Sequence, residues 1–168
     1  MNKELTIVFS SYQSEHLLVK LLKKFHKKYK ILIIENSMDF NLKKNLEKKF
    51  RGVEVIIPNE NLGLARSYNL GIRKSKTKFI FLNNPDIEIN NKSIKDLLTC
   101  AKNLKKFGVI APTYKDETIY KNYEVNSYKK KNLSKKLKKF NIIEVDLIDN
   151  NFLINKNMIK NNLFDDKY

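Results

Sequence analysis

The chain has 168 residues, enough for one domain with a buried core, and its 42% apolar content argues against a disordered polymer despite 31% charged residues. Its 34 basic and 18 acidic residues give a net charge of +16, a field that attracts polyanions. The basic side is 31 lysines and only three arginines amid abundant asparagine and isoleucine, the default of AT-rich coding, so charge alone does not argue for a nucleic-acid partner.

"LTIVFSS" (5–11) reads as a strand and "SEHLLVKLLKKFHKK" (14–28) as an amphipathic helix, with Leu17, Leu18, Leu21, Leu22 and Phe25 at helical spacing. The alternation repeats: strand 30–35, helix 40–50, strand 53–57, helix 62–75, strand 78–83, helix 93–107 and strand 108–112, which Pro112 stops. Apolar strands separated by helices predict an α/β fold whose mostly parallel central sheet is covered by helices on both faces. Residues 113–141 lack a sustained period and carry dense lysine, and they read as a long excursion with one short helix at most. Segments 142–148 and 151–156 read as strands or a strand pair. No repeat or linker divides the chain, so a single domain over 1–168 is expected.

The N-terminus "MNKELTIVFSS" lacks the apolar region of a signal peptide, and no segment approaches the roughly 18 apolar residues of a spanning helix. Cys100 is the only cysteine, so no internal disulfide can form, and the expected location is cytoplasmic. His16 and His26 lie on the first helix with no cysteine nearby, which favours packing or surface roles over metal binding.

In an open parallel sheet, ligands bind beyond the carboxyl ends of the strands, where the strand order reverses. Those exits are "SSYQ" (10–13), "ENSMD" (35–39), "PNENLGLARSYN" (58–69) and "NNPD" (83–86), polar and partly acidic after apolar strands. With four glycines, the chain has neither the G-x-G-x-x-G of dinucleotide-binding folds nor a P-loop. Pro85 has no backbone N–H and ends its strand at Asn83 or Asn84, holding Asn84 extended. Asn84 and Asp86 are thereby fixed at the strand mouth, where both can point toward one hard cation. Mg²⁺ or Mn²⁺ needs no more than one or two carboxylates when substrate phosphates complete the shell. Asn, Pro and Asp are also ordinary turn formers, so the tetrapeptide by itself is compatible with a plain turn.

"NENLGLARSYNLGI" (59–72) followed by "KFIFLNNPDIEI" (78–89) resembles the signature of the family 2 glycosyltransferases, inverting enzymes of the GT-A fold. Asn61, Gly63, Asn69, Gly71, Asn84, Pro85 and Asp86 match its pattern. "VFSSYQ", "IIENSMD", "FGVIAPTYKDE" and "VDLIDNNFLINKNMIKNNLFDDKY" are similar to flanking segments of the family, in the same order. The resemblance implies a nucleotide-sugar-binding part over 1–112 and an acceptor-side part over 113–168. Ser11, Tyr12, Glu35 and Asn36 would line the base and ribose pocket, with Glu35 in the place of the family's aspartate. Asn61 and Asn69 would shape the wall around the donor, and Gly63 would bring backbone close at a helix start, whose N–H groups suit phosphate. Asp86, with Asn84 where many relatives have an acid, would hold a divalent metal, Mg²⁺ or Mn²⁺, bridging the diphosphate. The implied function is metal-assisted, inverting transfer of a sugar from a nucleotide-diphosphate sugar to a glycan or lipid-linked acceptor.

The chain departs from that pattern in three places. The family's base comes from an acidic "ED" pair beyond "FDE", and the sequence stops at Tyr168 before such a pair, so the resemblance implies a C-terminally truncated acceptor part. Asp165 and Asp166 match the "FDE" itself and are poor substitutes. Asp149, where the family has a glycine, is an outside candidate for the base, set against a plain turn between strands. The "ENSMD" loop is one residue short, which leaves Ser37 and Asp39 unplaced. Either another residue or a partner supplies the base, or the chain is an inactive nucleotide-sugar-binding remnant or accessory subunit. The lysine run 129–139 reads as a solvated loop or as a grip on an anionic polysaccharide, a lipid phosphate or an anionic membrane surface. A basic nucleic-acid-binding protein is the remaining alternative, but no aromatic–arginine strand, helix-turn-helix or zinc spacing supports specific nucleic-acid binding.

Overall fold

The computed structural model describes residues 2–104, 106–113, 122–124, 142–159 and 164–165. The lysine run 129–139 and Asp166 lie outside the described residues, as does most of the expected excursion.

Odd-numbered residues of β1 (Leu5–Ser11) face one side of the sheet and even-numbered residues the other, the two-residue alternation of any strand. Leu5, Ile7 and Phe9 join Ile31 and Ile33 of β2 (Lys30–Glu35), Val53 and Val55 of β3 (Val53–Ile56), and Phe79 and Phe81 of β4 (Phe79–Asn83) in one core. That core is covered by α1 (Glu15–Phe25), α2 (Phe40–Lys49) and α4 (Asn91–Asn103). Val8, Leu32, Ile34, Ile80 and Leu82 form the opposite core, against Tyr68 and Ile72 of α3 (Gly63–Lys74). Both faces are therefore apolar, which is why the strands read as continuous hydrophobic runs. Each fully buried side chain of Leu, Ile or Phe size contributes about 1.5–3 kcal/mol.

β5 (Val109–Ile110), β6 (Tyr123–Glu124), β7 (Leu147–Ile148) and β8 (Phe152–Asn155) follow, then a short 3₁₀ turn at Lys156–Met158. The main sheet has the order β3-β2-β1-β4-β8-β5, with β6 and β7 a separate antiparallel pair. β1 pairs with β2 and with β4 in parallel, so the order reverses at β1, and the β1–β4 boundary is the switch point. β8 runs antiparallel to both β4 and β5, making the sheet mixed at this end.

Several expected elements are shorter than their sequence patterns, the strand 108–112 among them, which pairs only at Val109–Ile110. α1 ends at Phe25 rather than 28, because the amide N–H groups of Lys28 and Tyr29 both turn back onto the Phe25 carbonyl. α4 spans Asn91–Asn103 rather than 93–107; Leu104 is already extended, and Phe107 stacks on Phe79 from outside the helix, with ring centroids 6.2 Å apart. An apolar residue that packs after a chain reversal mimics helical period in the sequence. Of the expected strand 142–148 only Leu147–Ile148 pairs.

α3 approaches the sheet closely at Gly71, where a Cβ would sit 2.4 Å from Val8 Cγ1, at the centre of β1. Gly71→Ala gains up to about 1 kcal/mol of helix propensity and meets an overpacking cost of about 1–3 kcal/mol. We expect a net loss of about 1–2 kcal/mol and a melting temperature lower by roughly 3–6 °C. Thermal unfolding checks this, and an unchanged or raised midpoint would show that α3 can move off β1.

Candidate functional site

The register of the parallel strands gathers the polar exits on one edge. Phe9 pairs with Asn83 and Ser11 with Glu35, so the ends of β1, β2 and β4 are adjacent, about 4.8 Å from strand to strand. Parity then separates the exit side chains between the two faces.

On the face shared with α1, α2 and α4 lie Ser11 and Glu35. Glu35 is fully buried, and its Oε1 accepts from the backbone N–H (2.9 Å) and hydroxyl (2.6 Å) of Ser37. Its Oε2 and the Ser11 hydroxyl are both buried without a hydrogen-bond partner among the described residues. Two orphaned polar atoms on paired positions are costly in an apolar setting, on the order of 1–3 kcal/mol each, which makes the pair a candidate contact for a polar ligand. Tyr12 follows at 55% exposure beside Gln13, whose φ of 52° turns the chain sharply. The shortened loop places its last two polar residues plainly: Ser37 holds Glu35, and Asp39 caps α2 by accepting from the Leu42 N–H at 2.8 Å.

On the α3 face lies Asn36, buried and hydrogen-bonded throughout. Its Nδ2 donates to the Ser67 hydroxyl (3.0 Å), the Ser10 hydroxyl (3.3 Å) and the Ser11 carbonyl (3.3 Å). Its Oδ1 accepts from the Leu62 N–H at 3.0 Å and the Ser67 hydroxyl at 3.1 Å. Asn36 thus pins the start of α3 to the exits of β1 and β2, and its amide is committed within the chain. Asn61 is exposed and accepts from the Gly63 N–H at 2.9 Å; Gly63 has φ +64°, which an L side chain adopts only with strain. The N–H groups of Leu62 and Gly63 are therefore already occupied.

Asn69 is buried on α3 and clamps the C-terminal segment: its Nδ2 donates to the Phe164 carbonyl (2.9 Å) and its Oδ1 accepts from the Phe164 N–H (3.2 Å). The Phe164 ring packs on Tyr68 at 5.7 Å and on Phe152 at 6.1 Å, and Asp165 beyond it is exposed.

The exit of β4 is a tight turn. The Ile87 N–H donates to the Asn84 carbonyl (3.2 Å), and Asn83 Nδ2 donates to the carbonyls of Asn84 (2.7 Å) and Ile87 (3.2 Å). The Asn84 N–H donates to Asn151 Oδ1 at 3.2 Å, and the Tyr68 hydroxyl donates to Asn84 Oδ1 at 2.5 Å. Asp86 is exposed just beyond and close enough to act on Tyr68, whose phenol is pushed well above its ordinary range, first by burial and then by the Asp86 carboxylate. Of the two oxygens expected to face one ion, Asn84 Oδ1 is taken by the Tyr68 hydroxyl, while the Asp86 carboxylate is exposed. Glu88, two residues on, ion-pairs with Lys20 and Lys24 of α1; Lys20 holds its carboxyl below the usual range. No cluster of three His, Cys, Asp or Glu suited to a metal occurs among the described residues. One exposed carboxylate still fits Mg²⁺ or Mn²⁺, ions that keep several waters and share substrate phosphate oxygens.

Asp149 is exposed in the turn between β7 and β8, where its N–H donates to the Asn122 carbonyl at 3.2 Å. Two residues on, Asn151 takes φ 52° and reaches Asn84, so this turn borders the β4 exit. A cleft of about 420 Å³ opens beside it, lined by Glu88, Asn90, Ser93, Thr113, Asn122 and Asn151 among others. Sequence reasoning missed Asn151 and Tyr68. An asparagine after "DN" is a weak sign of a left-handed turn, and Tyr68 reads as an ordinary core residue of a helix.

The model of glycosyl transferase family 2 matches residues 6–163, nearly the whole chain. The chain belongs to that family. The N-x-G…N-x-G segment leads into α3 and forms its buried face, and N-P-D forms the β4 exit. Among solved structures, a mannosyltransferase from Pyrobaculum calidifontis, in complex with GDP-Man and Mn²⁺, is similar over 74% of this chain and 42% of its own, with 10% identity and TM-score 0.59. TarS of S. aureus is similar over 67% of this chain and 24% of its own, with 16% identity and TM-score 0.51. Both likenesses show the GT-A fold, and this family 2 chain spans less than half the length of either structure. No protein of curated function matches the sequence. No helix among the described residues is long and apolar enough to cross a membrane.

Proposed function

We propose that this family 2 chain binds a nucleoside diphosphate-sugar across the mouths of β1, β2 and β4 and transfers the sugar, with inversion, to a hydroxyl of a glycan or lipid-linked acceptor. The observation that carries the reading is the orphaned pair, Ser11 hydroxyl and Glu35 Oε2, at the exits of β1 and β2, next to the β1–β4 switch point and the turn after β4 that holds Asp86. The pair offers a donor and an acceptor to a nucleobase or ribose, and Tyr12 offers an exposed ring beside it.

Asp86 would hold a divalent cation, which when bound supplies charge neutralisation for the leaving diphosphate. The acceptor oxygen attacks the anomeric carbon as the bond from that carbon to the diphosphate oxygen breaks, and the hydroxyl proton passes to a carboxylate. Asp149, on the acceptor side of the β4 exit, takes that role in this reading. Asn36 and Asn61 act by shaping the start of α3, and Asn69 by fixing the segment that carries Asp165.

Melting temperatures with UDP, dTDP and GDP, each with Mn²⁺, test the binding; one of them at about 100 times its Kd should add about 2.7 kcal/mol, a rise of roughly 5–10 °C. Absence of any shift would remove the reading. Asp149→Asn should keep that shift while lowering sugar transfer or donor hydrolysis by about 100-fold or more. Undiminished turnover would exclude Asp149 as the base.

A further inference from the structure

Asn84 is held at every polar atom but one. Its N–H donates to Asn151 Oδ1, its carbonyl accepts from Asn83 Nδ2 and the Ile87 N–H, and its Oδ1 accepts from the Tyr68 hydroxyl. The 2.5 Å separation from Tyr68 belongs to an O–H···O contact, shorter than N–H···O bonds run, which fixes the orientation of the carboxamide. Tyr68 is itself immobile: it is 5% exposed, its ring lies against Phe164, and burial keeps its hydroxyl protonated and able to donate. The remaining atom, Asn84 Nδ2, has no partner among the described residues and carries two N–H donors.

We infer that Asn84 is a hydrogen-bond donor to the diphosphate rather than a ligand of the cation, and that Tyr68 is the positioning residue that sets this polarity. The inference rests on the proposed binding of a nucleoside diphosphate at this exit. A carboxamide presenting Nδ2 repels a cation and attracts a phosphate oxygen, whereas one presenting Oδ1 would do the reverse. With Oδ1 taken by Tyr68, Asp86 is the protein ligand of the cation at this turn, and phosphate oxygens and water complete its shell. This also accounts for an asparagine at 84 where a second acid would suit a cation held by two carboxylates: the amide supplies to phosphate what a carboxylate cannot.

The test uses the full chain and whichever of UDP, dTDP and GDP binds best, together with the matching nucleoside. Affinities are measured by calorimetry in EDTA and again in Mn²⁺. Asn84→Ala should weaken the diphosphate in EDTA about tenfold, as expected for a hydrogen bond to a charged group, and Tyr68→Phe about threefold. Nucleoside affinity should stay unchanged in both, as should the ratio of diphosphate affinities with and without Mn²⁺. Tyr68→Phe keeps the ring packed on Phe164, so a preserved melting temperature separates loss of the hydroxyl from loss of the fold. A collapse of the Mn²⁺ ratio with EDTA affinity intact would overturn the inference and make Asn84 a metal ligand. Equal weakening of nucleoside and diphosphate, or no weakening at all, would overturn it as well. A wild-type chain that binds none of the nucleotides would instead remove the proposed function, and this inference with it.

Discussion

Asp86→Ala is expected to abolish the Mn²⁺-dependent part of the stabilisation given by a nucleoside diphosphate while leaving the unliganded protein almost unchanged. Asp86 is exposed and carries no hydrogen bond that holds the β4 turn together, so its removal should change stability by no more than about 0.5 kcal/mol. Yet it is the only carboxylate of the turn not committed elsewhere, since Glu88 is ion-paired with α1. Removing the proposed protein ligand of the cation should lower nucleotide affinity in Mn²⁺ by about 100-fold, shrinking the rise in melting temperature by roughly 5–10 °C. EDTA added to the wild type should give the same loss. If the variant keeps the full Mn²⁺-dependent shift, the cation binds somewhere else.

Asn36→Leu is expected to have the opposite profile, a large loss of stability from a residue that need not touch the donor. The substitution keeps the size of the side chain but strands the Leu62 N–H and the Ser67 hydroxyl and removes three donations to the β1 exit and α3. Buried groups left unpaired cost about 1–3 kcal/mol each, and a hub of this kind should cost about 3 kcal/mol in all, a midpoint lower by roughly 6–12 °C. The exposed Asn61, with its one bond to the Gly63 N–H, provides the comparison: Asn61→Ala should cost about 1 kcal/mol or less. Urea unfolding of the two variants measures both. Equal effects would show that the start of α3 is not pinned through Asn36.

The same contrast shows why part of the site is hard to read from residues in order. Asn36, Asn61, Asn69 and Asn84 look alike as polar residues at strand exits or in the α3 signature. Three of them place their amides on chain atoms: Asn36 on Ser67 and Leu62, Asn61 on Gly63, and Asn69 on Phe164. Asn84 differs in that its Oδ1 is taken by a buried tyrosine hydroxyl at the strand exit, and the residue that takes it, Tyr68, lies 16 residues earlier in the chain. Asp149 is likewise exposed in a turn beside the β4 exit only because β8 runs back along β4.

Residues read in order were enough for the succession of strands and helices, the apolar runs that demand a sheet buried on both faces, and the end of β4 just before Pro85. Those features follow from periodicity and backbone restrictions that act within a few residues. Tertiary structure alone decided that α1 and α4 end early, that β8 enters antiparallel, and that Asn151 and Tyr68 complete the β4 turn. Each depends on contacts between residues far apart in the chain, and the partner of a side chain there is set by strand register and by which side of a helix meets the sheet. Neither quantity is encoded in any one stretch of residues.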